Sequence, residues 1–182
     1  MNRREFLKLG GMGALTVFLS GCGLSSLMGE ETTKGAGHDV FVFDAAKADT
    51  HPCAGCDACH MNGPCVYTDD IENTLMPKML DADLLVLVTP LYYWMMSAQL
   101  KTVIDRFYAR TGKLHHKKSM LIATCYDNGS HAMDVLTATY KRLVEYMEWT
   151  DVGMVLGTGC GARSLVESSE FPGQARQIGA RL

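Results

Sequence analysis

The 182-residue chain has no strong charge of either sign, no internal repeat, no low-complexity stretch and no long basic run. Its formal net charge is −3, and the longest basic cluster is His115-His116-Lys117-Lys118, so nothing in it marks a nucleic-acid-binding surface. It carries no Ser–His–Asp or zinc-protease pattern, which removes the commonest hydrolase signatures. The run from Leu9 to Gly23 is too short to span a bilayer as a helix. What remains is an ordinary globular composition, 47% hydrophobic and 20% charged, expected to form one domain with a real core. A Met-rich core accounts for the 12 methionines.

The first residues read as an export signal: a charged start, an uncharged run, then small residues. The string Arg3-Arg4-Glu5-Phe6-Leu7-Lys8 resembles the twin-arginine export motif. Leu19-Ser20-Gly21-Cys22 resembles a lipobox, in which Cys22 becomes lipid-modified at a new N-terminus. The expectation is therefore a signal over residues 1–22, and a lipoprotein anchored on the extracytoplasmic side of a membrane. Residues 23–36 would be a linker or a remnant first helix, and residues 37–182 the folded domain. Twin-arginine export carries folded proteins, which implies a prosthetic group acquired in the cytoplasm.

Cys53, Cys56, Cys59 and Cys65 fall within thirteen residues, spaced C-x2-C-x2-C-x5-C, in a loop spanning residues 51–70. Two-residue gaps let neighbouring sulfurs turn towards a common point, and Gly63-Pro64 can turn the chain so that the fourth returns. Such a set suits an iron–sulfur cluster or a structural zinc, with a disulfide framework as the rival. His60 is a further candidate ligand, or a solvated loop histidine.

Beyond residue 37, strand and helix signals alternate. Short apolar runs at Val40–Phe43, Leu84–Val88, Met120–Thr124 and Val152–Leu156 read as strands, the second stopped by Thr89-Pro90. Helical periodicity follows Asp69-Asp70, with Pro77 interrupting it, then recurs over Ser97–Arg110, Ala132–Trp149 and from Gly173 onward. The alternation predicts an α/β fold with a parallel sheet and a ligand crevice at the strands' carboxyl ends.

The loops after the strands carry the remaining candidates. Pro90-Leu91-Tyr92-Tyr93-Trp94 sets three aromatics in succession, and Ser97 lies just beyond. A flat heterocycle stacked on them explains their exposure, as does capping of the sheet edge or an oligomer interface. Tyr126-Asp127-Asn128-Gly129 forms a polar turn facing the same crevice, and Gly157–Ala162 is glycine-rich. Cys125 and Cys160 are expected to be buried, unreactive thiols. Asp105 and Arg106 form a candidate structural pair, and Lys101 is either solvated or attracts a nicotinamide cofactor's phosphates.

Three strings carry a specific resemblance: Pro52-Cys53-x-Gly55-Cys56-x-x-Cys59, then Gly63-x-Cys65-Val66 with Asp69-Asp70, and Thr89-Pro90-Leu91-Tyr92-Tyr93-Trp94-x-x-Ser97-Ala98-Gln99-Leu100-Lys101 leading to Ile104-Asp105-Arg106. They resemble the flavodoxin-like NADPH-dependent FMN reductases and, within them, the iron–sulfur flavoproteins. The resemblance implies a three-layer sandwich with sheet order 2-1-3-4-5. It implies FMN packed against the loop Pro90 to Ser97 and lined by Tyr126 to Gly129. It also implies a [4Fe–4S] cluster on Cys53, Cys56, Cys59 and Cys65, with NAD(P)H or a redox partner as electron donor. A homodimer or higher homo-oligomer is expected. The alternative is a non-catalytic electron carrier or metal-binding module that has lost flavin phosphate binding.

One departure stands out. The family opens with a strand and a phosphate-binding loop, for which only Ala14–Leu19 and Ser20–Ser26 are available, followed by a weak helix to about Lys34. The export signal claims the same residues, and cleavage before Cys22 would remove a strand from the middle of the sheet. Either the mature chain lacks the strand, or the uncleaved chain uses it, or a partner supplies one.

Overall fold

A computed structural model describes residues 15–20 and 39–181. The expected phosphate loop beyond Ser20, the weak helix to Lys34, Arg3-Arg4 and Cys22 lie outside the described residues.

Strands β1 (Leu15–Ser20), β2 (Asp39–Asp44), β3 (Leu84–Tyr92), β5 (Lys118–Thr124) and β6 (Thr150–Gly157) form a parallel sheet in the order β2-β1-β3-β5-β6. Counted along the main sheet alone this is the expected 2-1-3-4-5. A short strand β4 (Met95–Met96) folds back antiparallel onto the end of β3. The strand in dispute is present: Leu15–Ser20 pairs with Asp39–Asp44 on one side, and Thr16–Ser20 with Leu84–Val88 on the other.

The β3 run is apolar throughout because both of its faces are covered. Leu85 and Leu87 face one core with Leu121, Ala123 and the helices α1 (Met76–Asp81), α2 (Ala98–Asp105) and α3 (Asp134–Tyr146). Leu84, Val86 and Val88 alternate onto the other, with Met120, Ile122 and Val155, under α4 (Arg163–Glu167) and α5 (Phe171–Gly179). The three layers follow directly from this two-sided alternation. No helix among the described residues is long and apolar enough to cross a membrane.

Several sequence expectations are corrected. Pro90 does not stop β3, which runs on to Tyr92. Among the described residues the pairing with β1 reaches Val88, and at Pro90 the ladder pairs with Thr124 of β5 alone. A residue without an N–H is tolerated where one side of the strand is no longer paired. The helix after Asp70 is split: Ile71–Leu75 is wound as a π-helix, and Pro77 sits in the first turn of α1, where its missing N–H costs little. The helix expected to reach Arg110 is α-helical only to Asp105 and then tightens into a 3₁₀ stretch, Arg106–Lys113. α3 ends at Tyr146, and α4 was not legible as a helix of its own.

Candidate functional site

The carboxyl ends of β3, β5 and β6 carry the aromatic and glycine-rich loops, and the chain leaving β2 at the same edge leads into the cysteine segment. Tyr93 and Trp94 are the two turn residues of the β3–β4 hairpin, where Leu91 pairs with Met96 and Tyr92 with Met95. Both have positive φ, 48° and 64°, the backbone of a tight two-residue hairpin turn. Asn or Gly usually occupies such positions, so two bulky aromatics in left-handed geometry are strained. Tyr93 is 92% exposed, and Tyr92 and Trp94 are more than half exposed.

Ser97 does not line this edge. It is fully buried, its amide donates to Thr89 Oγ1 (2.9 Å), and its Oγ accepts the Leu100 amide (3.3 Å) as the N-cap of α2. The expected flavin contact is thus corrected to a structural one: Ser97 fixes where the hairpin ends and the helix begins. Pro90 and Leu91 are half-buried within β3, so the aromatic side chains form the open surface.

Tyr126 to Gly129 are exposed beside this edge, with Tyr126 at 86%. The loops after β5 and β6 are laced together: the Cys125 amide donates to Gly157 O (2.8 Å), the Cys160 amide to Cys125 O (2.7 Å), and the Gly159 amide to Asp127 O (3.1 Å). Asp127 Oδ1 accepts the Gly129 amide at 2.8 Å. Gly161 lies flat against the Tyr126 ring, and a Cβ there would overlap it. Cys125 is buried and Cys160 half-buried, and burial pushes both thiols above their ordinary pKa of 9.0. Raised thiol pKa values disfavour the reactive thiolate, and Cys160 is less buried than the sequence suggests.

Cys53, Cys56, Cys59 and Cys65 all line one cavity of about 340 Å³, its open mouth included. All four are free thiols, so the disulfide reading has no support in this structure. The loop that carries them turns through left-handed residues, Gly55 (φ 65°), Asp57 (54°), His60 (47°) and Met61 (58°). The amides of Asn62 and Gly63 both donate to Cys59 O, at 3.1 and 2.7 Å. Gly63 suits this turn, because a Cβ would crowd that same oxygen at 3.1 Å. Tyr108 Oη donates to Asp57 Oδ1 (2.8 Å), and Lys113 Nζ donates to Asn62 O (3.1 Å), so the 3₁₀ stretch ties the loop down. His60 is solvent-exposed, its Nδ1 3.8 Å from an Asp57 carboxylate oxygen, which fits a solvated loop histidine.

The cavity floor holds what the sequence reading missed. Arg106 does not pair with its neighbour Asp105, because consecutive helical residues face different directions. Asp105 pairs instead with Lys101, one turn back. Arg106 reaches Asp69, with Nη1 to Oδ2 at 2.7 Å and Nη2 to Oδ1 at 3.1 Å, and both side chains are 1% exposed. Asp69 also accepts the amides of His51 (2.9 Å) and Glu72 (3.1 Å), and Arg106 Nη1 donates to His51 O (2.9 Å). Burial opposes both charges, but these hydrogen bonds outweigh it, lowering the pKa of Asp69 and raising that of Arg106. The Arg106 guanidinium also lies 5.2 Å from the centre of the Tyr67 ring. The signal available in the sequence was the Asp69-Asp70 pair at a helix start, of which one member goes to the arginine.

The donor set fits a cysteine-bound cluster. Among the described residues, the one group of three ligating side chains within 4.8 Å of each other is His115, His116 and Glu148, so no three of the four sulfurs lie that close to one another. Thiolates around one zinc lie about 3.8 Å apart, from a Zn–S bond of about 2.3 Å in a tetrahedron. A multi-iron cluster holds its thiolates further apart, and the buried Nε–H of Arg106 is an unpartnered donor at the cavity wall.

The sequence model of the family described as "NADPH-dependent FMN reductase" matches residues 23–162. An iron–sulfur flavoprotein of Methanocaldococcus jannaschii is 39% identical over 70 residues, which are 38% of this chain and 36% of that one. One from Archaeoglobus fulgidus is 37% identical over 76 residues, 42% of this chain and 37% of that one. The aligned part spans little more than a third of these curated relatives. Among solved structures, the azoreductase of Bacillus anthracis superposes with a TM-score of 0.68 at 16% identity, covering 93% of this chain and all of that one. The two-electron reduced flavodoxin of Megasphaera elsdenii does so at 0.58 and 14%, covering 92% and 99%. These likenesses establish a flavodoxin-like fold, and the family match, over most of the chain, establishes that it belongs to the NADPH-dependent FMN reductases, a family of FMN-dependent oxidoreductases.

Proposed function

We propose that this protein is an FMN-dependent oxidoreductase of the iron–sulfur flavoprotein type, with NAD(P)H or a protein redox partner as electron donor. The observation that carries the reading is the convergence of four free cysteines on one cavity, in a chain whose fold and family are those of flavin reductases. Bound FMN would supply hydride acceptance and single-electron release, and a [4Fe–4S] cluster one-electron relay.

This chain's own residues orient and shield. Tyr92, Tyr93, Trp94 and Tyr126 offer the exposed aromatic surface on which an isoalloxazine would stack. The Tyr126–Gly129 turn offers polar groups for its edge, while Cys53, Cys56, Cys59 and Cys65 would hold the cluster. Aerobic handling strips iron from exposed clusters, so the test is anaerobic purification followed by a visible spectrum, flavin analysis, and iron and sulfide counts. About four of each per chain together with flavin support the reading. Flavin alone removes the cluster, and a colourless protein that takes up neither group overturns it. Steady-state NAD(P)H oxidation separates a reductase from an electron carrier.

The proposal extends to an exported, lipid-anchored protein that forms a homodimer or higher homo-oligomer. Arg3-Arg4 and the lipobox before Cys22 support export, while the place of Leu15–Ser20 between β2 and β3 favours a chain that keeps this segment. N-terminal sequencing of the membrane fraction decides: a first residue at Cys22 upholds processing, and a retained Met1 rejects it. Light scattering measures the oligomer.

A further inference from the structure

Arg106 is more heavily committed than a structural ion pair requires. Both terminal nitrogens are engaged, by the Asp69 carboxylate and His51 O. Its side chain is 1% exposed and lines the cavity shared by Cys53, Cys56, Cys59 and Cys65. Yet its Nε–H is buried with no acceptor. A buried, charged donor without a partner costs more than a neutral one, so its presence at a sulfur-lined cavity calls for an acceptor there.

Asp69 fixes the direction of the fork, and Tyr67 stacks beneath it, with His51 stacked on Tyr67 in turn at 5.1 Å between ring centres. The guanidinium therefore has no rotational freedom with which to find another partner. The lining carboxylates of Asp57 and Asp105 already accept from Tyr108 and Lys101, which leaves the four sulfurs, and inorganic sulfides once a cluster is bound, as the acceptors this cavity offers.

We propose that Arg106 is a positioning residue for the cysteine-held centre, donating its Nε–H to a sulfur there and setting the centre's reduction potential. This rests on the cluster reading above. Reduction adds negative charge to a cluster, and a fixed cation with a sulfur-directed N–H stabilises that charge, which raises the potential. Asp69 moderates the effect, because its carboxylate neutralises part of the charge while holding the donor in place. The arrangement differs from a free surface arginine in that solvent and salt screen it little.

The test is redox titration of the anaerobically purified holoprotein, followed by cluster absorbance and electron paramagnetic resonance. Arg106→Lys keeps a cation but removes the Nε–H. The paired change Asp69→Asn with Arg106→Gln removes both charges without stranding either, which protects folding. Both variants are expected to retain iron and sulfide at the wild-type ratio. Their midpoint potentials should be more negative than wild type, the paired variant by more than the lysine variant. An unmoved or raised potential in iron-loaded variants overturns the role of Arg106 and leaves the cluster reading standing. A wild-type protein that holds no iron overturns both.

Discussion

Replacing Asp69 by Asn should destabilise the protein far more than any surface substitution of the same size. The change preserves shape and one acceptor oxygen but turns a carboxylate that takes four hydrogen bonds into an amide facing a guanidinium. Arg106 is then a buried cation without its counter-charge, for which about 3–5 kcal/mol is the usual cost. A domain of this size has about 5–15 kcal/mol in total, so a fifth or more of its stability would be lost. At roughly 2–4 °C per kcal/mol, the melting temperature should fall by about 6–20 °C. Urea unfolding of reduced, iron-free protein, followed by circular dichroism, gives the number. The paired variant, Asp69→Asn with Arg106→Gln, should recover most of the loss, because no charge remains stranded. A single-variant cost below about 1 kcal/mol would refute the reasoning, since exposed pairs are of that size. The pH dependence follows from the same pair. The folded pKa of Asp69 lies below its ordinary 3.8, so the pair's contribution is fully present above that value and is lost as pH falls through the folded pKa. Wild type should therefore steepen in acid sensitivity below about pH 4, and the paired variant should lack that component.

Other perturbations test other parts of the molecule. Gly161→Ala should displace the Tyr126 ring, lowering FMN affinity in a fluorescence titration while leaving stability within about 1 kcal/mol, because the ring is exposed and can move. Tyr140→Phe should cost about 1–2 kcal/mol by chemical denaturation, since it removes the hydroxyl that bonds Ser119 Oγ (2.9 Å) and Asp151 Oδ1 (3.1 Å) and leaves buried Ser119 without that partner. Expression of a chain beginning at Cys22 removes β1 from between β2 and β3 and tests the processed form directly: a sharp unfolding transition is expected if export yields that chain, and loss of cooperative unfolding would reject it.

Strand–helix alternation was legible because β3 and β5 carry uninterrupted apolar runs and helical periodicity follows them, while the sheet order came only with the family resemblance. Those patterns reflect burial on two faces, which a sequence records directly. Pro90 was misread because its effect depends on which neighbour the strand still has at that point, and that is a property of β1 rather than of β3. Ser97 was misread for a similar reason: a serine beside an aromatic loop looks available until the hairpin turns it under the helix. The partner of Arg106, Asp69, lies 37 positions away at the end of the cysteine loop, with β3 and two helices between, and adjacency in sequence pointed to Asp105 instead. The cysteines, by contrast, were plain from spacing alone. The shared cavity adds what spacing does not contain, a cation at the wall of the sulfur site.

The two-residue turn at Tyr93-Trp94 also works as a ruler. A hairpin this short has no slack: β3 is held by β5, β4 is held by β3, and buried Ser97 starts α2 immediately after. The aromatic rings are therefore mobile only about their own side-chain bonds, on a backbone whose freedom is already gone when the protein folds. A planar ligand meeting them loses its own entropy but little of the loop's, and so binds to a surface already in position. One inserted residue between Tyr92 and Met95 would remove that advantage, changing the turn and the aim of both rings at once. Length, at this loop, is as much a determinant of recognition as the aromatic side chains themselves.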